Sequence, residues 1–187
     1  MEKVLAKIGK MLNDENITWA VGASLLLKAY SMVESVGDID LLVSEKDVKK
    51  VDALLKEVGV AKDMSDVRLF GNEFFGKYAV DNVDIDIMSG LVLSHQEGVF
   101  SYVFDKQSIT CFVTLEGIKI PYTSLEDWYV IYQLLENREK KVKMIEEYLM
   151  KNGVKNMHLL LRSKEGNLPQ HIVKNIDGVL DNHMSKW

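Results

Sequence analysis

The sequence predicts an α+β fold, in which helices pack against a mixed β-sheet and a C-terminal helical segment follows. Three patterns support this prediction. Helical and strand periodicities alternate over the first third of the chain. Hairpin-like pairs of strands come next, and the periodic segments after Pro121 are helical. We therefore expect two regions, an α/β core over residues 1–123 and a helical region over residues 124–187.

Elements of the first third follow from the spacing of apolar residues. The helices have apolar residues three or four positions apart, and the strands are short apolar runs. Ser24 is expected to open a helix, and so is Ser44, as an N-cap with Asp47 in the capping-box position. The predicted elements are a helix over 2–15, a strand over 17–21, a helix over 24–34, a strand over 38–43 and a helix over 44–59.

The middle of the chain predicts two β-hairpins. Asp81 and Asn82 tolerate positive φ, so they are expected to form the first turn. Counting back from this turn places Lys77 opposite Asp86. The second turn is expected at Glu116-Gly117. The predicted strands are 73–80, 83–89, 109–115 and 118–122, and the helices that follow are 124–136, 139–151, 155–162 and 170–181.

Composition limits the classes of protein that fit. The 187 residues are enough for one buried core, and 47% hydrophobic and 27% charged residues are ordinary values for a globular protein. A formal net charge of −5 argues against a broad nucleic-acid surface. The single cysteine, Cys111, cannot form an intrachain disulfide, and no apolar stretch approaches the ~20 residues of a membrane span. We expect a cytoplasmic protein without a membrane partner.

Gly22-Ala23-Ser24 lies where a predicted strand passes into a helix. The first N–H groups of a helix suit a phosphate, and glycine allows a ligand to approach the backbone. Lys28, one helical turn after Ser24, could reach the same phosphate. The structural alternatives are that Gly22 makes the turn, that Ser24 caps the helix and that Lys28 belongs to a solvated stripe.

Two Asp-x-Asp pairs lie on predicted strands. Asp38 and Asp40 share one strand face, and Asp84 and Asp86 share another. The alternatives are a solvated strand end for the first pair and a cross-strand salt bridge from Lys77 to Asp86 for the second. If the two strands are neighbours, up to four negative charges gather within roughly 5–8 Å. Such a cluster either raises carboxylate pKa values or binds a divalent cation, and oxygen ligands favour Mg²⁺ or Mn²⁺.

These motifs, in this order, resemble the signature of the nucleotidyltransferase superfamily, with its polymerase-beta-like fold. The resemblance rests on Gly22-Ala23-Ser24, on Asp38-Ile39-Asp40 and its apolar strand, and on Asp86-Ile87-Met88. Residues 120–127, which lead into a helix, and Arg138-Glu139-Lys140 also resemble the small bacterial and archaeal members. The resemblance implies that the mixed sheet is a nucleotidyltransferase core.

The resemblance also implies an activity and a role for each residue. Asp38, Asp40 and Asp86 would hold Mg²⁺ or Mn²⁺ and be catalytic, with Asp86 also a base, and Asp84 is a lesser candidate for the third carboxylate. Gly22 and Ser24 would contact the phosphates of a nucleoside triphosphate. Lys28 is added to this phosphate-contacting set by its helical spacing from Ser24 and not by the resemblance. The reaction would be transfer of a nucleoside monophosphate to a hydroxyl or phosphate acceptor.

Several partners fit this implied activity. The acceptor could be a small molecule such as an antibiotic, a protein or an RNA, and a homodimer is possible. The alternative function is a non-catalytic regulatory or toxin–antitoxin module of the same fold. Family members often carry an aspartate shortly after the arginine that corresponds to Arg138. Here Lys141, Val142 and Lys143 follow, so we expect a solvated basic helix face without a catalytic role.

Overall fold

A seven-stranded sheet organises the computed structural model, which describes residues 1–62 and 74–186. The α-helices are α1 (Glu2–Asp14), α2 (Ala23–Ala29), α3 (Val48–Val58), α4 (Leu125–Leu134), α5 (Glu139–Asn152), α6 (Met157–Lys164) and α7 (Gln170–Lys186). The strands are β1 (Trp19–Val21), β2 (Ile39–Val43), β3 (Val60–Ala61), β4 (Phe74–Val80), β5 (Val83–Ser89), β6 (Val92–His95), β7 (Gly98–Ser101), β8 (Cys111–Leu115) and β9 (Ile118–Tyr122). A short 3₁₀ helix covers Lys106–Ser108.

The strands are ordered β3-β4-β5-β2-β1-β9-β8 across the large sheet. β2 pairs with β5 in parallel and β1 pairs with β9 in parallel, whereas the other neighbours are antiparallel. The sheet is therefore mixed, and the predicted α+β fold with a C-terminal helical segment is confirmed. β6 and β7 form a separate hairpin, which the sequence did not predict.

Helices cover this sheet with their apolar faces. α1 contacts β8 and β9, and α3 contacts β3 and β4. Ile8 and Leu12 of α1 and Trp19 of β1 are fully buried, and a Cβ on Gly9 would lie 2.3 Å from the Ile120 side chain. Trp19 therefore belongs to the hydrophobic core. Each helix of the described ranges is too short or too polar to cross a membrane.

Both predicted hairpins form. Asp81 and Asn82 adopt left-handed φ angles of 48° and 61°, the conformation that a two-residue turn requires. The register sets Lys77 opposite Asp86, as predicted. β8 and β9 pair around Glu116-Gly117, whose φ angles are also positive. The strand predicted from Glu73 begins at Phe74 in the structure, and Glu73 itself lies outside the described residues.

Two helix predictions were wrong in their bounds. α2 ends at Ala29 rather than near Glu34, because Ser31 turns left-handed with φ 58° and the Met32 amide donates back to the Leu27 carbonyl. α3 begins at Val48 rather than at Ser44. The Asp47 carboxylate accepts from the Ser44 hydroxyl and the Thr18 amide, so residues 44–47 form a turn anchored on the neighbouring segment.

The four predicted C-terminal helices form, although α7 ends at Lys186 rather than near residue 181. A buried carboxylate connects the first of them to the third. Glu126, in the first turn of α4, is 2% exposed. It accepts hydrogen bonds from the backbone N–H groups of Lys155 and Asn156, at 3.1 and 2.9 Å, and from the Asn156 side chain. Glu126 therefore satisfies the N–H groups that lie just before α6. The boundary between residues 123 and 124 stays a prediction.

Replacing Glu126 with Ala should lower the free energy of unfolding by about 3 kcal/mol, because buried N–H donors lose their acceptor. Urea denaturation followed by circular dichroism measures this change. Glu126→Gln keeps one acceptor oxygen and should cost clearly less. Equal losses for the two variants would contradict the role given to the carboxylate.

Candidate active site

Three carboxylates meet where β2 and β5 lie side by side. The parallel register pairs Asp40 with Asp86, and Asp38 lies just before β2 on the same side of the strand. One carboxylate oxygen from each residue lies within 4.8 Å of the others. The structure thus brings together the three residues that the sequence singled out as metal ligands.

Burial and like charges disfavour the ionised forms of Asp40 and Asp86. Burial raises the pKa of Asp40 to about 7, and the neighbouring Asp38 and Asp86 carboxylates add to the shift. Burial also raises the pKa of Asp86, although the Lys77 ammonium, 3.4 Å away, opposes it. The predicted cross-strand pair between Lys77 and Asp86 therefore forms within the cluster. The Lys141 and Lys77 ammonium groups both lower the pKa of Asp40, but they do not offset its burial.

The donor set fits a hard divalent cation. All three candidate ligands are carboxylates, which Mg²⁺ and Mn²⁺ prefer over nitrogen or sulfur. Burial is the largest cause of the raised pKa values of Asp40 and Asp86, and a divalent cation between them would favour their ionised forms. Asp38, Asp40 and Asp86 are each only partly buried, so an ion could enter from the cavity described below.

Asp84, the lesser candidate, lies outside this cluster. Its carboxylate forms a salt bridge with Lys62 and is about half exposed. Residues two positions apart on a strand lie on the same face, so Asp84 and Asp86 share a face of β5. They differ in their position along the strand. Asp86 is opposite Asp40, whereas Asp84 lies two residues nearer the Asp81-Asn82 turn.

Gly22 is held by backbone and side-chain contacts. Its N–H donates to the Asp40 carbonyl at 3.0 Å, which extends the β1–β2 pairing. A Cβ at this position would lie 2.4 Å from the Trp128 indole. Gly22, and not Ser24, is the N-cap of α2. The glycine is therefore required for close packing against Trp128, and its own N–H is already used.

The other two residues predicted to contact phosphate, Ser24 and Lys28, lie in different parts of the structure. Ser24 lines the cavity beside the carboxylates. Lys28 lines a different hollow, with Met1, Leu25 and Val113, so the structure does not bring it to the site. Its solvated position agrees with the structural alternative for this residue.

Lys141 is a site residue that the sequence analysis missed. Its ammonium donates to the Ser24 hydroxyl at 2.8 Å and to the Tyr132 hydroxyl at 3.4 Å. Burial and the nearby Arg138 guanidinium lower the pKa of Lys141, while Asp40 and Asp38 act in the opposite direction. The expectation of a solvated face was wrong for Lys141. The i, i+3 spacing from Arg138 was the available signal that both could share a face.

A cavity of about 300 Å³ joins these groups. The sheet supplies the acidic side, α4 and α5 supply Tyr132 and Lys141, and Arg138 is the residue just before α5. Apolar and aromatic side chains complete the wall: Phe75, Met88, Leu91, Trp128, Ile131 and Leu135. The arrangement can hold a polyanion between a metal-binding face and a cationic face, with an apolar surface beside it.

Comparisons with known proteins agree with this geometry. The family model of aminoglycoside-2''-adenylyltransferases matches residues 4–147. No curated protein sequence is significantly similar to the chain. The solved structure of TM1012, a Thermotoga maritima protein assigned as a nucleotidyltransferase, is similar to this chain. The TM-score is 0.60 and the sequence identity is 27%. That match covers 80% of this chain and 92% of the other. The predicted resemblance to nucleotidyltransferases is confirmed.

Two antibiotic adenylyltransferases share the fold at lower identity. ANT(2'')-Ia in complex with adenylyl-2''-tobramycin is 12% identical, with a TM-score of 0.56 and coverage of 88% of this chain and 97% of that one. Lincomycin-bound LnuA, a lincosamide adenylyltransferase, is 16% identical, with a TM-score of 0.53 and coverage of 78% and 96%. At these identities the matches show a common fold alone.

Gly22→Ala should destabilise the protein by about 1–3 kcal/mol, because the new methyl group displaces the Trp128 ring. Thermal unfolding measures this loss. Gly178→Ala in α7 is the matched control, since a Cβ there meets no atom within 4 Å and should leave stability unchanged or slightly higher. A Gly22→Ala protein as stable as the control would contradict the packing role.

Proposed function

Since this chain belongs to the aminoglycoside-2''-adenylyltransferase family, we propose that it transfers a nucleoside monophosphate from a nucleoside triphosphate to a hydroxyl group of an acceptor. The observation that carries the proposal is the cluster of Asp38, Asp40 and Asp86 on adjacent parallel strands. The carboxylates face a cavity whose opposite side is cationic. Phosphoryl-type transfer depends mainly on positioning and charge neutralisation, which these two sides can provide.

The three carboxylates are the residues that would hold Mg²⁺ or Mn²⁺. A bound ion would supply positive charge to the phosphate oxygens. In the reaction the acceptor oxygen forms a bond to the α-phosphorus, the bond from that phosphorus to the bridging oxygen breaks, and pyrophosphate leaves. Asp86 is proposed to take the proton of the acceptor hydroxyl, since its carboxylate lines the cavity beside the other two.

Lys141, Arg138 and Ser24 are proposed to contact the phosphates of the donor. Lys141 is already oriented by its hydrogen bonds to Ser24 and Tyr132, so little side-chain freedom remains to be lost on binding. A partly buried ammonium whose pKa is lowered also gains from an anionic partner. Of the three phosphate contacts proposed from the sequence, Ser24 alone keeps that role here, and Lys141 replaces Lys28.

Asp38→Asn and Asp40→Asn should each lower transfer by about a hundredfold or more, because the metal-binding charge falls. Pyrophosphate release from nucleoside triphosphates with Mg²⁺ measures transfer. The same variants should lose the rise in melting temperature that Mg²⁺ and a non-hydrolysable triphosphate give to the wild type.

Asp84→Asn is the matched control for this charge removal. It neutralises an aspartate on the same strand as Asp86 but outside the cavity, and it should keep wild-type binding and transfer. If the wild type shows neither stabilisation nor pyrophosphate release with any nucleotide, the non-catalytic module becomes the better account.

Lys141→Gln should weaken triphosphate binding about tenfold or more, because a charge-assisted contact to the phosphates is lost. Calorimetric titration with a non-hydrolysable triphosphate and Mg²⁺ measures the dissociation constant. Lys140→Gln is the control, because it removes the same charge from the preceding residue of α5. Lys140 is exposed and does not line the cavity. Equal effects of the two substitutions would refute a specific role for Lys141.

A further inference from the structure

We infer that Thr123 is a positioning residue. Through the Trp128 indole it fixes two of the residues proposed to contact the donor phosphates, Ser24 and Lys141. The inference rests on the proposed function, because it concerns how the same cavity keeps its phosphate contacts in place. It follows from a buried chain of contacts that begins at the Thr123 hydroxyl and ends at the Lys141 ammonium.

The Thr123 hydroxyl joins β1 to α4 inside the core. Thr123 follows β9 directly and is fully buried. Its hydroxyl donates to the Val21 carbonyl at 3.0 Å and accepts from the Trp128 indole N–H at 2.8 Å. The Thr123 backbone N–H donates to the same carbonyl. Because a buried indole has one N–H and needs an acceptor for it, the hydroxyl determines where the Trp128 ring lies relative to the end of β1.

The Trp128 ring contacts a neighbour of each phosphate contact. On one side, a Cβ on Gly22 would lie within 2.8 Å of three indole atoms. On the other side, the centres of the Trp128 and Tyr132 rings are 5.0 Å apart. The Tyr132 hydroxyl accepts from the Lys141 ammonium, which also donates to the Ser24 hydroxyl. The indole therefore sets the distance between the backbone that carries Ser24 and the ring that orients Lys141.

The backbone between Gly22 and Ser24 is strained. Ala23 has a φ of 46°, in the left-handed region, where the Cβ of an alanine approaches the following carbonyl oxygen. Such a conformation persists where neighbouring groups hold it, and it is frequent at functional sites. Ala23 follows the glycine against which Trp128 packs. A weaker hold on the indole would allow Ala23 to relax, and the Ser24 hydroxyl would then move away from Lys141.

The test replaces the hydroxyl of Thr123 and measures donor binding. Thr123 is not among the cavity-lining residues of the described ranges, so its replacement leaves the cavity wall itself unchanged. The probes are the α,β-methylene analogues of ATP and GTP with Mg²⁺, titrated calorimetrically into each protein. Thr123→Val should weaken binding about tenfold or more, because the indole N–H loses its acceptor. Thr123→Ser keeps the hydroxyl and should restore most of the affinity.

Ser163→Ala is the matched control. It removes a buried hydroxyl that donates to the Leu159 carbonyl within α6, away from the cavity, and it should leave the affinity unchanged. Equal affinities of Thr123→Val and the wild type would overturn the inference, and so would an equal loss of affinity in Ser163→Ala.

A double-mutant cycle separates positioning from a general loss of stability. If Thr123 acts through Lys141, the substitution Lys141→Gln should weaken binding less in the Thr123→Val protein than in the wild type. In the Ser163→Ala protein, Lys141→Gln should have its full effect. Additive effects of Thr123→Val and Lys141→Gln would overturn the inference.

Circular dichroism and the melting temperature show first whether each variant is folded. If Thr123→Val does not fold, Trp128→Phe removes the indole N–H instead. This variant should show the same reduced effect of Lys141→Gln, and additivity there would also overturn the inference. Failure of the wild type to bind either analogue would remove the proposed function, whereas normal binding by every Thr123 variant would remove this inference alone.

Discussion

The pairing of β2 with β5 positions the acidic side chains. The residues that alternate with Asp40 and Asp86 are Ile39, Leu41, Ile85 and Ile87, and all four are fully buried. A shift of one residue in either strand would place a carboxylate in the core and an isoleucine or leucine in the cavity. Hydrophobic burial therefore fixes the register, and the register holds Asp40 and Asp86 opposite each other despite their repulsion. The raised pKa values of both groups are the consequence of this arrangement.

Local patterns predicted the features that depend on neighbouring residues. The Asp81-Asn82 turn could be predicted from residues that tolerate positive φ. A two-residue turn then allows one pairing of the flanking strands, so the register of β4 and β5 could be predicted too. The adjacency of β2 and β5 came from the superfamily resemblance rather than from either strand alone. The four C-terminal helices could be derived because each has a clear helical periodicity.

Features that depend on distant contacts could not be derived in this way. Lys141 meets Ser24 across 117 positions of sequence, and nothing in the basic run indicates which face of α5 turns inward. The early end of α2 depends on the left-handed conformation of Ser31, which serine rarely adopts, so the sequence did not indicate it. The need for glycine at position 22 could be predicted from its place at the end of a strand. The residue it packs against, Trp128, could not, because it lies on α4, more than 100 residues later. Tertiary packing decided each of these points.

The two sides of the cavity come from separate stretches of the chain. Sheet residues before position 90 supply the carboxylates and Lys77. The segment from α4 to α5 supplies Arg138, Lys141 and much of the apolar wall. Mutations in these helices can therefore alter the compounds that the cavity admits while the acidic cluster stays intact. Under the proposed function, substitutions among the apolar residues of α4 would give a lineage a route to new acceptors that leaves the carboxylates, Arg138 and Lys141 unchanged.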